Sequence, residues 1–299
     1  MSVISVGAVR SCGATTLALG LAATWPAHRR VLLIEADPAG GTLAAAAGFP
    51  AEPSLVSLAA AVRRTDAVEL AITHTHALPG GAPVLTAPAT GEQSERVLAL
   101  LTRFLDHLGE IDADVILDCG RLGPLAEATA SEGMLRTNTE RFLSADVAII
   151  ATRAQLPDLH ALGGFLDQPR LATARQDGRI HLVLVGSGPY GESEITEVLG
   201  TPVIARLPCE PDTAIALATT STEARELRRT PLVRELRSLA VSLAPEPDAD
   251  EETVPSNDEP ADPPSGLRRF RPLARVGSDD ARAIATDRLH TNGTSGTPS

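Results

Sequence analysis

A glycine-containing turn near the start of the chain has the residue types and spacing that bind phosphate. Gly13, Thr15 and Thr16 follow the short apolar run Val3–Gly7 and open an Ala-rich segment. A β run followed by glycine and a helix N-terminus directs backbone N–H groups and the positive end of the helix dipole to one spot. The sequence therefore predicts an anion-binding turn over residues 9–16, with two threonine hydroxyls beside it.

The turn lacks the cation that usually accompanies such a site. A Walker A loop ends in Gly-Lys-Ser/Thr, and its lysine reaches the β- and γ-phosphates, whereas Ala14 holds that position here. The chain has no lysine, since all 26 of its basic residues are arginine, so a second copy of the chain supplies none either. Arg10 is a partial substitute, although a guanidinium fork does not replace an ammonium group. A phosphate-binding turn and a turn that has lost nucleotide binding both fit this stretch.

Acidic residues end two of the predicted strands. Glu35 and Asp37 lie at the end of the run Val31–Ala36, and Asp118 ends the run Val115–Leu117. An apolar strand that ends in Asp is typical of a Walker B motif, in which the carboxylate holds Mg²⁺. Asp-Pro is also a common turn, so each motif is weak alone. Their order after the glycine turn makes the combination more specific.

This order of motifs resembles the ParA/MinD family of deviant Walker A ATPases. That family has Lys-Gly-Gly-x-Gly-Lys-Thr-Thr after its first strand and Asp-x-Asp-Pro after its second. Val9 and Ala14 stand at the two lysine positions, whereas Gly13 and the two following threonines match. The resemblance extends over residues 1–243 and implies a P-loop fold.

The same resemblance implies the cofactors and the roles of individual residues. ATP and Mg²⁺ are the cofactors, with nucleotide bound by Arg10, Ser11, Cys12, Gly13, Ala14, Thr15 and Thr16. The Mg²⁺ ligands that it implies are Thr15, Asp37 and Asp118. Asp37 or Glu35 would orient the attacking water. Because both lysines are absent, we expect ATP hydrolysis to be weak or absent.

Apolar runs recur along the chain and alternate with helical patterns. The runs are Val3–Ala8, Val31–Ala36, Pro83–Ala87, Asp114–Cys119, Val147–Thr152, His181–Val185 and Pro202–Leu207. Most are continuously apolar, which indicates strands covered on both faces of a parallel sheet. The predicted helices are Ala14–Thr24, Ser54–Arg63, Glu92–Leu108, Ala154–Leu166, Glu192–Leu199 and Glu223–Leu243. The predicted fold class is α/β, a mostly parallel twisted sheet flanked by helices, of the P-loop NTPase type.

Composition sets the domain boundary and the cellular setting. We expect one α/β domain over residues 1–244 and a disordered acidic, Pro-rich tail over 245–299, with a basic island at Leu267–Val276. A net charge of −12 argues against non-specific nucleic-acid binding by the whole surface. Three cysteines without a dense pattern, and no apolar run of about 18 residues, predict a cytoplasmic protein without a membrane span.

Two side-chain types allow more than one interpretation. Cys12 and Cys119 lie at the ends of strands that should be neighbours, so they fit a redox or metal pair. The simpler interpretation is that both are small, partly buried residues without a chemical role. Tyr190, the only tyrosine, fits either stacking on a base or anchoring a loop. We favour the loop anchor.

Three functions fit these features. The leading hypothesis is a positioning or scaffolding factor with a degenerate nucleotide site, acting in chromosome partitioning, at a cell pole, or with a pilus or secretion machine. Its partners would be proteins, including a second copy of the chain in a homodimer. The alternatives are a slow Mg²⁺-dependent ATPase that uses Arg10 in place of lysine, and a DNA-binding partition protein that uses arginines of Glu223–Leu243.

Overall fold

The computed structural model describes residues 1–62, 70–78, 81–123, 138–219 and 224–244, which form an α/β fold around an eight-stranded sheet. The predicted tail over 245–299 lies outside these residues. The strand order is β3-β4-β2-β5-β1-β6-β7-β8. The strands are β1 Val3–Ala8, β2 Val31–Glu35, β3 His76–Ala77, β4 Pro83–Leu85, β5 Asp114–Arg121, β6 Val147–Thr152, β7 Ile180–Val185 and β8 Val203–Leu207.

The pairing of the strands confirms a mostly parallel sheet. Every described pair is parallel except β3 with β4. All the predicted strands are present, whereas β3 was not predicted, because two residues are too short to show a period. β1 lies between β5 and β6, with Val6 in register with Asp118 on one side and Ile149 on the other. The carboxyl ends of β1, β2 and β5 therefore meet at one edge of the sheet.

Helices cover both faces of this sheet. They are α1 Ala14–Thr24, α2 Leu43–Ala47, α3 Leu55–Val62, α4 Gly91–Leu100, α5 Thr102–Asp106, α6 over 138–143, α7 Leu156–Leu166, α8 Pro169–Gln176, α9 Glu192–Leu199, α10 Pro211–Ala218, α11 Ala224–Leu227 and α12 Pro231–Leu243. Two 3₁₀ turns occupy Ala71–His74 and Leu108–Glu110. Within the described ranges, no helix is both long enough and apolar enough to span a bilayer.

Two of the predicted helices are divided in the structure. The helix predicted over Glu92–Leu108 is interrupted at Leu101, where the Thr102 hydroxyl donates to the Ala99 carbonyl at 2.9 Å. Such side-chain bonds compete with helical hydrogen bonding.

The helix predicted over Glu223–Leu243 is divided in a different way, although Glu223 itself lies outside the described residues. Thr230 caps α12 by accepting from the Val233 N–H at 3.3 Å, and Pro231 occupies the first turn. Proline at that position starts a helix rather than continuing one.

Two apolar cores hold the sheet between its helices. One core packs α1, α10 and α12 against side chains such as Ile4 and Leu33, and the other packs α3, α4, α7, α8 and α9 against side chains such as Leu32 and Ile34. Helices α1 and α12 approach so closely that a Cβ on Gly20 would overlap the Leu236 side chain. This packing fixes the direction of α1, whose first turn faces the carboxyl edge of the sheet.

Candidate nucleotide site

The predicted anion-binding turn links the central strand β1 to α1. Gly13 is the N-cap residue, with φ 87° and ψ 31°, a left-handed conformation that glycine adopts without steric cost. Its carbonyl accepts from the Leu17 N–H at 2.9 Å, and no side chain caps the helix. The first N–H groups of a helix have no partners within it. An anion at this turn would supply the missing acceptors.

A cleft of about 220 Å³ lies over the turn, and its walls bring the sequence-predicted residues together. It is lined by Ala8, Arg10, Ser11, Cys12, Gly13, Ala14, Thr15, Thr16, Asp37, Gly120 and Arg121. All seven residues predicted to bind nucleotide are among them. Gly120 and Arg121 were not assigned to the site from the sequence. The fold therefore assembles one concave surface from the ends of three adjacent strands.

A buried carboxylate lies within β5, two residues before Gly120, and does not itself line the cleft. Asp118 is fully buried and accepts a hydrogen bond at Oδ1 from the Gly120 N–H at 3.0 Å, and the Thr15 side chain lies beside it. Its Oδ2 atom has no hydrogen-bond partner. Burial raises the pKa of Asp118 to about 7, whereas the Thr15 hydroxyl and the Gly120 N–H act to lower it. A carboxylate with an unsatisfied buried oxygen suits a cation that lies beside it.

The oxygen atoms around Asp118 fit Mg²⁺. Asp37 lines the cleft above it, with Oδ1 accepting from the Ala39 N–H at 2.8 Å, and burial raises the pKa of Asp37 as well. No group of three or more His, Cys, Asp and Glu side chains converges within the described ranges. Mg²⁺ does not require such a group, because it retains several waters and uses one or two carboxylates together with phosphate oxygens. Thr15, Asp37 and Asp118 therefore remain the candidate ligands.

Glu35 has a structural position that differs from the one expected. Its Oε1 accepts from the N–H groups of Thr42 and Leu43 at 2.6 and 3.0 Å, and its Oε2 accepts from the Ala87 N–H at 2.9 Å. The side chain is 1% exposed and does not line the cleft. Burial raises its pKa, and the three N–H donors oppose that rise. Glu35 thus links the segment after β2 to the residues after β4 through its hydrogen bonds. Since Asp37 lines the cleft and Glu35 does not, Asp37 is the better candidate for orienting water.

Two arginines beside the turn share one buried carboxylate. Arg153, which follows β6, donates from Nε to Asp158 Oδ2 at 2.8 Å, and Arg10 Nε lies 4.0 Å from Asp158 Oδ1. Asp158 is 5% exposed, and both arginines are about half exposed. Arg153 also contacts the Cys12 thiol. Arg10 therefore lines the cleft, but part of its charge is compensated.

The cysteines and the tyrosine take the simpler of their predicted roles. Cys12 and Cys119 are both buried free thiols, and burial raises the pKa of each. Tyr190 packs against the core, and its carbonyl accepts from Arg206 at 3.3 Å. It lines neither the cleft nor the neighbouring cavity described next, and its packing against the core agrees with the loop-anchor interpretation.

A second cavity of about 230 Å³ adjoins the cleft and shares four residues of the turn with it. Its remaining wall is mostly apolar, with Leu17, Val185, Leu207, Pro208, Ala214, Leu232 and Leu236. The loop after β7 begins at Gly186, which has φ 76°. The cavity therefore places an apolar surface directly beside the glycine turn.

Comparison with solved structures supports the fold. The ParA family ATPase of Chlorobium tepidum is 18% identical, over 80% of this chain and 97% of its own, with a TM-score of 0.60. MinD of Pyrococcus horikoshii, a septum site-determining protein solved with Mg-ADP, is 16% identical over 81% of this chain and 95% of its own, with a TM-score of 0.55. McdA of Cyanothece, solved as a point variant with ATP, is 15% identical over 82% of this chain and 98% of its own, with a TM-score of 0.53. No family model and no curated protein matches the chain. The chain therefore has a ParA/MinD-like P-loop ATPase fold.

Proposed function

We propose that this protein binds a nucleoside triphosphate together with Mg²⁺, hydrolyses it slowly or not at all, and acts as a positioning or scaffolding factor. The observation that carries the proposal is the fully buried Asp118 carboxylate, whose Oδ2 is left unpaired although Thr15, from the first turn of the helix that follows Gly13, lies beside it. A turn that no longer met a ligand would not need a buried, unsatisfied carboxylate. The glycine turn supports the anion-binding half of the proposed site, and the Asp118 carboxylate supports its cation-binding half.

Each part of the chain has a defined task in this proposal. The N–H groups that follow Gly13 bind phosphate oxygens, and the hydroxyl of Thr15 with the carboxylates of Asp37 and Asp118 holds the metal ion. Bound Mg²⁺ would neutralise charge on the β- and γ-phosphates. The apolar cavity next to the turn excludes water from one face of the nucleoside.

Slow hydrolysis follows from the residues at the two lysine positions. Val9 and Ala14 carry no charge, and stabilisation of developing charge is the largest catalytic contribution in such sites. Loss of one such donor typically costs ~100- to 1,000-fold in rate. Asp37 remains available to orient water, so the site keeps a water-positioning group but lacks the two ammonium groups that a Walker A loop of this type places on the transferred phosphate.

The positioning role is inferred from the fold and from the expected slow hydrolysis of the bound nucleotide. The similar structures include a septum site-determining protein and a complex of MinD with MinC. A similar fold does not by itself establish a function. The further support is slow hydrolysis, because a protein that keeps its nucleotide bound is suited to a stable assembly. We propose cytoplasmic protein partners and a homodimer, and partitioning, cell-pole, pilus or secretion machinery as the setting.

Calorimetric titration of the full chain with ATP tests this proposal. We expect saturable binding in the presence of Mg²⁺ and at least ~10-fold weaker binding in EDTA, because the buried carboxylates repel phosphate without a cation. Asp118→Asn should lose the Mg²⁺ dependence, whereas Asp112→Asn, on the exposed Arg30 pair, should retain it. Absence of heat at millimolar nucleotide would reject nucleotide binding.

A further inference from the structure

We infer that Arg121 supplies the positive charge to the terminal phosphates that lysines supply in other P-loops. This inference rests on the proposed function, since it concerns the same cleft. Arg121 lines the cleft together with the glycine turn, and its side chain is exposed. It lies three residues after Asp118 in a part of the chain where the Walker B pattern contains no cation.

An irregularity in the β-sheet places Arg121 at the cleft. Val6 is in register with Asp118, but Ala8, two residues further along β1, is in register with Arg121, three residues further along β5. The extra residue on β5 is a bulge, a feature that turns a strand end and re-aims the side chain that follows. Without the bulge, the residue opposite Ala8 would be Gly120, which has no side chain.

Hydrogen bonds on both sides hold this bulge in place. The Leu122 N–H donates to the Ala8 carbonyl at 2.8 Å, and the Asn138 amide donates to the carbonyls of Cys119 and, at 3.1 Å, Arg121. The backbone of Arg121 is therefore fixed relative to the start of the glycine turn. Only its side chain is free to reorient toward a ligand.

Among the described residues, Arg121 has no ion-pair partner, whereas the neighbouring Arg10 and Arg153 both lie at the Asp158 carboxylate. Arg153 is hydrogen-bonded to Asp158, and Arg10 lies 4.0 Å from the same carboxylate. No acidic side chain lies within ion-pair distance of Arg121 among the residues that the structure describes. The planar guanidinium presents a donor fork that matches phosphate oxygens. A terminal phosphate is thus the group that would engage it.

Affinity for nucleotides of increasing phosphate number tests the assignment. In Mg²⁺ buffer of fixed ionic strength, Arg121→Ala should weaken ATP binding by about 10- to 100-fold, the range of a charge-assisted hydrogen bond. The loss should be smaller for ADP and absent for AMP, and Arg121→Lys should recover part of it. Arg103→Ala, an exposed arginine on α5 outside the cleft, should change none of these affinities.

The outcomes separate this inference from the proposal on which it rests. If the unmodified chain binds ATP and Arg121→Ala binds it equally well, the role of Arg121 is wrong and the proposed function stands. An equal loss for AMP, ADP and ATP would likewise contradict a phosphate contact. If the unmodified chain binds no nucleotide, both are wrong. Unchanged thermal unfolding of the variant establishes that any loss of affinity is local.

Discussion

Gly120 lies so close to Asp37 that a Cβ on the glycine would overlap the aspartate carboxylate. The contact joins the end of β5 to the turn after β2. Gly120 also has φ 59°, in the left-handed region that side chains disfavour. Its N–H donates to Asp118, so one glycine positions both candidate metal-binding carboxylates.

Replacing this glycine should therefore damage the site and the fold together. We expect Gly120→Ala to lower the free energy of unfolding by about 2–4 kcal/mol, through backbone strain and overlap with Asp37. Urea unfolding measures the change. Gly109→Ala is a suitable control, since no atom lies within 4 Å of its added Cβ and its φ is not in the left-handed region. Equal stability of the two variants would contradict the assigned contact.

The raised pKa of Asp118 predicts a pH dependence of stability. Because the folded-state pKa, about 7, exceeds the ordinary value of 3.8, the folded state holds the proton more tightly. Its contribution is complete below about pH 4 and is lost as pH rises through 7, amounting to at most about 4 kcal/mol. In EDTA, Asp118→Asn should reduce the difference in unfolding free energy between pH 5 and pH 8. Mg²⁺ at pH 8 should stabilise the unmodified chain and leave the variant unchanged.

The carboxylate at the start of β5 should show the opposite dependence. Burial would raise the pKa of Asp114, but hydrogen bonds from Arg29 and Trp25 lower it below 3.8. Its contribution is therefore present above about pH 4 and is lost as pH falls through the lowered value. Asp114→Asn should cost about 3 kcal/mol at pH 7, as expected for removing one partner of a buried pair.

The fluorescence of Trp25, the only tryptophan, monitors this unfolding directly. Asp112→Asn, which breaks the pair with Arg30, should cost less than about 1 kcal/mol, because both side chains are 78% exposed. A similar cost for the two variants would show that the buried network is not the stabilising element.

Arg10 distinguishes the proposal from the slow-ATPase hypothesis. If Arg10 replaced lysine, Arg10→Ala would abolish turnover. We expect any residual hydrolysis to change less than ~3-fold, since Arg10 is half exposed and lies near Asp158, and exposed charges contribute little. Phosphate release under excess ATP and Mg²⁺ decides between these outcomes.

The strands could be predicted from the sequence where their apolar runs are continuous. β1 and β6 match their predicted ends, because buried parallel strands show as uninterrupted apolar runs. Helix α8 was not predicted, since its polar face obscures the two residues that it buries, Leu171 and Ala174. At the division of Glu92–Leu108, the Thr102 hydroxyl donates to the carbonyls of Leu98 and Ala99, and apolar periodicity does not reveal such bonds.

Only the part of the site formed by contiguous residues could be predicted from the sequence. The residues of the glycine turn are contiguous, so their grouping in one cleft follows from sequence order. The role of Glu35 depends on the N–H of Ala87, far away along the chain, and could not be read from the acidic turn. The position of Arg121 at the cleft depends on the register shift between β1 and β5, which a local residue pattern does not reveal.

Restoring the missing lysine tests the central claim most directly. We predict that Ala14→Lys, at saturating ATP and Mg²⁺, releases phosphate at least ~100-fold faster than the unmodified chain, whereas the uncharged Ala14→Met does not. This result would show that the turn and the candidate metal-binding carboxylates are intact and that hydrolysis lacks an ammonium group at position 14, which Arg121 at the end of β5 does not replace. Equally fast turnover by the unmodified chain and by Ala14→Lys would contradict the claim that hydrolysis was lost with the lysines.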